Sequence, residues 1–167
     1  MPDSPPVASQ ERPAWRHRLL IAACNLYPPM LGAGIRVRLV PRSGGAIAVR
    51  LRLRFWNRNA VGTHFGGSLY SMCDPWFMLI LRHKLGADYI VWDKWASIRF
   101  RRPGRGTVSA VFHIPDEEVE AIRHRADQGE TVEPQMRAEV TDEAGQTVAT
   151  VEKLLYVRRQ DASRPVR

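Results

Sequence analysis

The sequence predicts an α+β domain in which an antiparallel sheet curls around one long central helix, with a further helix near the N-terminus. Several segments alternate apolar and polar residues with a period of two, as half-buried strands do. Residues 67–84 are apolar on nearly every side of a helix, and such a helix must be buried. A flat sheet would leave one side of that helix in solvent, so the sheet must curl round it or a second subunit must cover it.

The length and composition favour one folded domain. The chain has 167 residues, of which 44% are hydrophobic and 25% charged, as in typical soluble globular proteins. A domain of this size buries enough surface to fold without disulfides or a structural metal. We expect a single domain over residues 14–158, between disordered tails at 1–13, which hold four prolines, and at 159–167.

The basic charge is spread along the chain. The net charge is +8, and all but three of the 25 lysines and arginines are arginines. A basic balance can indicate nucleic acid, an anionic membrane or a phosphate-bearing ligand. Several arginines alternate with apolar residues along predicted strands, which is typical of a solvated sheet face. We therefore expect no nucleic-acid partner.

The cysteines and the apolar segments predict a cytoplasmic protein without a membrane span. No run reaches the roughly 18 apolar residues of a transmembrane helix. The apolar stretch before Cys24 is shorter than the about 7–15 residues of a signal peptide. Cys24 and Cys73 belong to no CxxC pair, so buried thiols in a reducing compartment are expected. His83, His113 and His124 show no metal-ligand spacing, and we expect no metal and no cofactor.

The first half of the chain predicts a helix and a hairpin. Residues 14–27 carry apolar side chains at helical spacing, and Pro28-Pro29 should end this helix. Residues 35–40 have apolar side chains at every second position, with Arg36, Arg38 and Val40 between them, and residues 49–55 alternate between apolar residues and arginine. The sequence PRSGG at 41–45 predicts the hairpin turn between these two strands.

The second half predicts the central helix and four more strands. The helix over 67–84 should end at Gly86. A short helix over 116–129 begins with acids, with Asp116 as its predicted N-cap. The remaining segments are rich in β-branched and aromatic residues and predict strands at 89–102, 107–114, 131–141 and 147–158.

A glycine turn precedes the central helix. Gly62, Gly66 and Gly67 let a ligand approach the backbone, and they present N–H groups at the positive end of a helix dipole. Such a site binds phosphate or polarises a carbonyl whose oxygen becomes negative. A plain turn with tight packing is the equally weighted alternative.

Asp74 is the second candidate, because it is the only carboxylate between Asn57 and Asp88 and lies in an apolar run. Such a carboxylate should have a partner or a pKa raised by desolvation, and both suit a general base. Alternatively, Asp74 is an N-cap with Pro75 at the first helical position, where the helix kinks or restarts. The two interpretations can coexist.

The spacing of these candidates predicts a dimer. Gly67 and Asp74 are seven residues apart, which is about 10 Å along a helix at about 1.5 Å per residue. One carbonyl cannot easily contact both. If both act on one reacting centre, the glycine turn and the carboxylate should come from two subunits.

The stretch NAVGTHFGGSLYSMCD at 59–74 resembles the signature region of the hot-dog-fold acyl-CoA thioesterases. It is similar to the phenylacetate-type branch, whose pattern is Asn-x-x-Gly-Thr-x-His-Gly-Gly followed by an Asp. The residues in register with that pattern are Asn59, Gly62, Thr63, Gly66, Gly67 and Asp74. The segment YIVWDKWASIRFRRPGRGTV resembles a less characterised hot-dog group more closely still.

The resemblance implies hydrolysis of a thioester of coenzyme A or of a carrier's phosphopantetheine, at sites between the subunits of a homodimer or a dimer of dimers. Gly67 N–H would polarise the carbonyl. Asp74 would activate water or attack directly, and Asn59 would position the reacting groups. The implied substrate-binding residues are Thr63, His64, Phe65, Gly66 and Ser71.

One position departs from the pattern. Phe65 stands where the family has histidine, and His64 comes one residue earlier. This favours an alternative function, a module that binds acyl-CoA or lipid without cleaving it. A dehydratase or hydratase using His64 with Asp74 is a third hypothesis. His64 can equally be a hydrogen-bonded loop residue, and Ser71 can bond Asp74 or its own helix backbone.

Arginines after the central helix are weaker candidates. They could bind the phosphates of coenzyme A, although a solvated strand end is the preferred interpretation. These residues are Arg99, Arg101, Arg102 and Arg105.

Overall fold

The structure is a computed structural model that describes residues 14–40 and 44–160, with side chains from residue 19 onward. The predicted tail at 1–13 and residues 161–167 of the predicted second tail lie outside the described residues. The last strand extends one residue into that predicted tail, to Arg159.

The helices and strands follow the predicted order with two differences. A short helix is added after the first one, and the predicted central helix is divided in two. The helices are α1 Ala14–Leu26, α2 Pro28–Ala33, α3 Gly66–Ser71, α4 Trp76–Leu85 and α5 Asp116–Asp127. The strands are β1 Ile35–Leu39, β2 Ile47–Arg52, β3 Tyr89–Phe100, β4 Thr107–Phe112, β5 Gln135–Thr141 and β6 Thr147–Arg159.

The described strands form one antiparallel sheet in the order β1-β2-β4-β5-β6-β3. The longest pairing joins β3 to β6 and runs from Tyr89 opposite Arg159 to Phe100 opposite Ala149. A bulge interrupts it between Asp93 and Trp95. β1 and β3 are the edge strands.

The period-two alternation places the core as predicted. Along β1, Ile35 and Val37 are buried while the arginines between and after them are exposed. Along β2, Val49 and Leu51 are buried and Arg50 is exposed. The inward side chains pack on one face against α4, whose Trp76, Phe77, Ile80 and Leu81 belong to the same core.

The central helix predicted over 67–84 is interrupted, as the alternative of a kink or restart at Asp74-Pro75 allows. The chain forms α3 and α4, separated by residues 72–75. Pro75 explains the break, because proline has no N–H to donate and its ring disfavours helical geometry before it. Met72 and Cys73 within the break remain fully buried, so the interrupted helix still fills the core.

Two helix boundaries also differ from the predictions. Pro28-Pro29 ends α1 but also begins α2, since proline suits the first turn of a helix. Asp116 is the first residue of α5 rather than its N-cap, which is Pro115. The Asp116 carboxylate instead accepts a hydrogen bond from Lys84 Nζ at 2.6 Å.

Candidate functional site

Asp74 lies in the break between α3 and α4, and its carboxylate is held by a lysine from the far end of the chain. Oδ1 accepts a hydrogen bond from Lys153 Nζ at 2.9 Å. The same ammonium also donates to the backbone carbonyl of Asp74, which the break at Pro75 leaves outside the helices. The Asp74 side chain is 48% exposed, so one side remains open for a reactant.

Lys153 is a buried lysine clamped by two aspartates. It lies in β6 with only 1% of its surface exposed, and its Nζ also donates to Asp93 Oδ2 at 2.7 Å. Burial by itself would lower the pKa of Lys153. The hydrogen bonds to Asp93 and Asp74 and their negative charges outweigh burial, so the pKa of Lys153 is raised. The lysine is therefore charged at neutral pH.

The N-cap interpretation of Asp74 is not supported by its contacts. The residue preceding α4 is Pro75, and no side chain caps that helix. Ser71 does not bond Asp74 either, because its Oγ donates to the carbonyl of Gly67 at 2.8 Å. The helix-backbone interpretation of Ser71 is therefore the one observed.

The open side of Asp74 faces a mainly apolar cavity of about 540 Å³. Tyr70 and Ser71 line the same cavity. Burial, together with a hydrogen bond to Asp74, raises the pKa of the Tyr70 phenol, so this hydroxyl stays protonated. The remaining lining comes from α1, α2 and α4: Leu20, Ala23, Cys24, Tyr27, Pro29, Met30, Pro75 and Leu79.

The glycine turn begins α3. Gly66 and Gly67 are the first two residues of this helix, and within the described part of the chain no hydrogen bond from either N–H is present. An aromatic ring lies against each glycine where a side chain would stand. A Cβ at Gly67 would lie 2.5 Å from the Phe65 ring, and one at Gly66 would lie 3.0 Å from Phe100. Phe65 is 57% exposed, so its ring has room to move.

Asn59 organises the loop before the turn. Its Nδ2 donates to Thr63 Oγ1 at 2.9 Å, and its Oδ1 accepts from the N–H groups of Val61 and Thr63. Its amide is thus engaged in hydrogen bonds within the loop that leads to the glycine turn.

His64 is a buried loop histidine. Its Nε2 lies 3.2 Å from the carbonyl oxygen of Gly106, and because a carbonyl only accepts, Nε2 carries the proton. Burial lowers the pKa of His64, although the bond to Gly106 opposes this. The hydrogen-bonded interpretation is therefore observed, and a single chain does not bring His64 and Asp74 to one cavity.

A second cavity, of about 610 Å³, opens on the glycine turn. It is lined by the predicted site residues Asn59, Thr63, His64 and Gly66. Three of the candidate arginines also line it, Arg101, Arg102 and Arg105, whereas Arg99 does not. Within one chain, the glycine turn and Asp74 therefore line different cavities.

Residues 16–157 match a family described as a domain of unknown function, DUF4442. The chain belongs to the DUF4442 family. Among curated proteins, none matches the sequence.

Solved structures resemble this DUF4442 chain in fold. A protein of unknown function from Pseudomonas aeruginosa, described as a probable thioesterase, aligns with a TM-score of 0.74 and 21% identity over 86% of this chain and 96% of its own. A thioesterase from Haemophilus influenzae aligns at 0.62 and 13% over 87% and 92%. A mutant thioesterase from Pseudomonas aeruginosa aligns at 0.61 and 12% over 90% and 98%. The predicted hot-dog fold is thereby confirmed; identities this low establish the fold alone.

Three residues at the candidate site escaped prediction from sequence. These are Lys153, Asp93 and Tyr70. Lys153 did carry a signal, because it occupies a dry-face position of a strand between Val151 and Leu155, where a lysine needs a charged partner. Asp93 and Tyr70 carried none, since only the fold brings them to Asp74.

The remaining expectations concern the cysteines, metals and membrane spans. Both cysteines are free thiols, and burial raises the pKa of Cys73 to about 12, so this thiol is inert. Within 14–40 and 44–160, no three His, Cys, Asp or Glu side chains group as metal ligands. No helix in those ranges is long and apolar enough to cross a membrane.

Proposed function

We propose that this protein is a thioesterase that hydrolyses acyl-CoA or a related acyl-carrier thioester. Asp74 is the general base or nucleophile, and Gly67 N–H polarises the thioester carbonyl. One observation carries the proposal: the Asp74 carboxylate is fixed by a buried lysine and faces an apolar cavity. An acid walled off from any cavity would have excluded this chemistry.

The contacts of Asp74 suit a base that accepts a proton from water. Lys153 holds the carboxylate in one orientation through Oδ1, while the exposed part of the side chain leaves space for a water molecule. The water oxygen then bonds to the thioester carbon, the carbon–sulfur bond breaks, and the proton held by Asp74 passes to the leaving thiolate. Direct attack by the carboxylate followed by hydrolysis gives the same products.

The cavity at Asp74 supports an extended acyl group as the substrate's apolar part. It shares Leu20, Cys24 and Leu79 with a neighbouring apolar cavity of about 460 Å³ that reaches Lys84. Ten residues separate Asp74 and Lys84, about 15 Å at the helical rise. We call these two adjoining cavities between α1 and α4 the apolar channel, and the acyl chain would lie along it.

The channel gives the first test. The wild type should release free thiol from a panel of acyl-CoAs, and Leu79→Trp should lower kcat/KM for long acyl chains while sparing short ones, because the indole fills the shared wall. Met78→Trp, at a half-buried position of the same helix that lines neither cavity, is the matched control. Equal losses for short and long chains would place the acyl group elsewhere, and no thiol release from any acyl-CoA or acyl-carrier would overturn the thioesterase proposal.

The separation of the two candidate groups supports a shared site in a homodimer, which can pair again into a tetramer. β3 is an edge strand with one unpaired side, and exposed edges are normally covered. It carries exposed Trp92 and Trp95. A second copy along this edge would cover those rings and bring one chain's glycine turn to its partner's Asp74. The reducing cytoplasm, where free cysteines persist, is the proposed compartment.

Removing the Gly67 N–H tests its role. Gly67→Pro should lower kcat by about 100- to 1,000-fold, the usual cost of one oxyanion donor, because proline removes the donor yet tolerates an early helical position. Gly67→Ala keeps the N–H and need displace only the exposed Phe65 ring, so it should keep most of the rate. If Gly67→Ala is as slow as Gly67→Pro, the lost activity comes from crowding.

Mixing variants tests the shared site. Equal amounts of the Gly67→Pro and Asp74→Asn chains, dissociated and reassembled, should recover about a quarter of the wild-type rate, because half the dimers are hybrids with one intact site. If both groups act within one chain, no activity returns.

A second candidate function is binding of acyl-CoA or lipid without cleavage. The position of Phe65 favours it, because its ring lies 2.5 Å from where a Cβ of Gly67 would stand and so packs against the residue that carries the proposed oxyanion donor. Tight binding of an acyl-CoA with no release of thiol, in the wild type and in Phe65→His alike, would support binding alone. Turnover that rises in Phe65→His would instead show that the ring limits catalysis.

A further inference from the structure

The outer face of β1 and β2 carries an arginine-rich groove that the proposed catalytic groups do not use. The groove has a volume of about 940 Å³. Its charged lining is Arg36, Arg50, Arg52, Arg54 and Glu143. Its remaining lining includes Leu31, Gly34, Trp56 and Thr107.

The arginines of this groove are concentrated by the strand register and lack acidic partners. Arg36 lies directly opposite Arg50, where Cβ atoms are about 4.5–5.5 Å apart and like charges destabilise a sheet. Arg52 follows on the same face. None of the four arginines forms an ion pair with any residue of the described chain. The carboxylate of Glu143 is directed to the N–H of Thr107 at 3.4 Å. The groove therefore holds excess positive charge that an anion would neutralise.

Trp56 gives the groove an aromatic surface beside the charges. Its side chain is half exposed, and the Arg54 guanidinium lies 5.2 Å from its ring centroid. A guanidinium stacked on an indole forms a platform for a planar base, while neighbouring guanidiniums bind phosphate oxygens in pairs. A bare phosphate would leave most of the volume empty.

We propose that this groove binds the phosphates and base of a nucleotide. The ligand class is a nucleotide with two or more phosphates. That chemistry has two sources, the nucleotide end of a coenzyme A thioester or a free nucleotide acting as an effector. The first source rests on the proposed function; nucleotide binding itself does not.

The groove lies close enough to the glycine turn for the first source. The Gly106 carbonyl accepts hydrogen bonds from both Leu53 N–H and His64 Nε2. Leu53 and Gly106 line the groove, and His64 lines the cavity at the turn. A carrier bound in the groove would cross this single turn of chain to reach Gly67.

Calorimetric titration of the full chain with ADP, coenzyme A and pyrophosphate tests the proposal. ADP and coenzyme A should bind, and the double variant Arg50→Ala/Arg52→Ala should weaken both by about tenfold or more, since two charge-assisted contacts are lost. Trp56→Ala should weaken ADP but not pyrophosphate. The control Arg125→Ala/Arg137→Ala removes the same charge from exposed positions outside the groove and should leave binding unchanged. Circular dichroism checks that each variant is folded.

Several results would overturn the nucleotide assignment: no binding of ADP or coenzyme A, equal losses in the control variant, pyrophosphate binding as tightly as ADP, or a single-stranded oligonucleotide binding far more tightly.

If ADP and coenzyme A bind in the groove, kinetic measurements identify the source of the nucleotide. A raised KM for acyl-CoA in Arg50→Ala/Arg52→Ala, with acyl-pantetheine unchanged, identifies the substrate's nucleotide. Unchanged KM for both identifies a free nucleotide. Because binding is measured without turnover, its failure is distinct from failure of the thioesterase proposal.

Discussion

Replacing Asp74 by asparagine is expected to lower thioester turnover by about 100- to 10,000-fold, the usual contribution of a positioned general base. The amide keeps the size of the carboxylate and can still accept a hydrogen bond from Lys153 through its oxygen. It cannot accept a proton from water or attack a thioester at neutral pH. The loss should appear in kcat, with KM for acyl-CoA little changed, because the apolar channel is intact.

The control for this experiment is Asp88→Asn, an exposed carboxylate just before β3 that lines none of the cavities described above. It should keep the wild-type rate. Full activity in Asp74→Asn beside an active wild type would show that Asp74 is only a partner for Lys153. If Asp74→Asn loses both activity and much of its stability, the apparent Kd for a non-hydrolysable acyl-CoA analogue separates the two causes. Only a folded chain keeps the apolar channel and therefore binds the analogue as the wild type does.

The sheet could be predicted from sequence because its signal is local. Strict alternation in β1 and β2 specifies which face is dry, and the observed burial of Val37, Val49 and Leu51 follows it. The glycine turn and the apolar run that follows it in the sequence likewise predicted a buried helical segment. These features depend only on neighbours in the chain, so one sequence was enough.

The contacts of the site could not be predicted because they are long-range. Lys153 and Asp74 are 79 residues apart, and Asp93 meets the same ammonium only because of the β3–β6 pairing with its bulge. Pro75 raised the possibility of a break in the helix, but not that the freed carbonyl of Asp74 would accept a hydrogen bond from Lys153. The residues next to a buried lysine in the sequence do not indicate which carboxylate will form an ion pair with it.

Lys153→Met is expected to lower the free energy of unfolding by about 3 kcal/mol, near the lower end of the range for breaking a buried pair. The methionine fills the space of the lysine stem, so the cost comes from the two aspartates that lose their cation. Both are partly exposed, at 48% and 27% of their side chains, and water relieves part of that cost. Urea unfolding followed by circular dichroism measures the change.

Lys94→Met is the matched control, because Lys94 forms an ion pair of 2.6 Å with Glu133 but both side chains are exposed. Surface pairs of this kind contribute about 0–1 kcal/mol. A loss in Lys153→Met no larger than in Lys94→Met would contradict the assigned role of the buried lysine. Adding Asp93→Asn to Lys153→Met should recover part of the stability, since it removes one of the two carboxylates left without a cation.

The dependence of stability on pH separates charge from packing. The pKa of Lys153 in the folded chain is raised above the ordinary lysine value of 10.5. Its contribution is therefore fully present below that value and is lost as the pH rises through the folded-state pKa. Between neutral pH and strongly alkaline pH, the wild type should lose its advantage over Lys153→Met, while Lys94→Met should track the wild type. A constant difference at all these pH values would mean that methionine merely packs badly in β6, and that the ammonium between Asp74 and Asp93 contributes no electrostatic stabilisation.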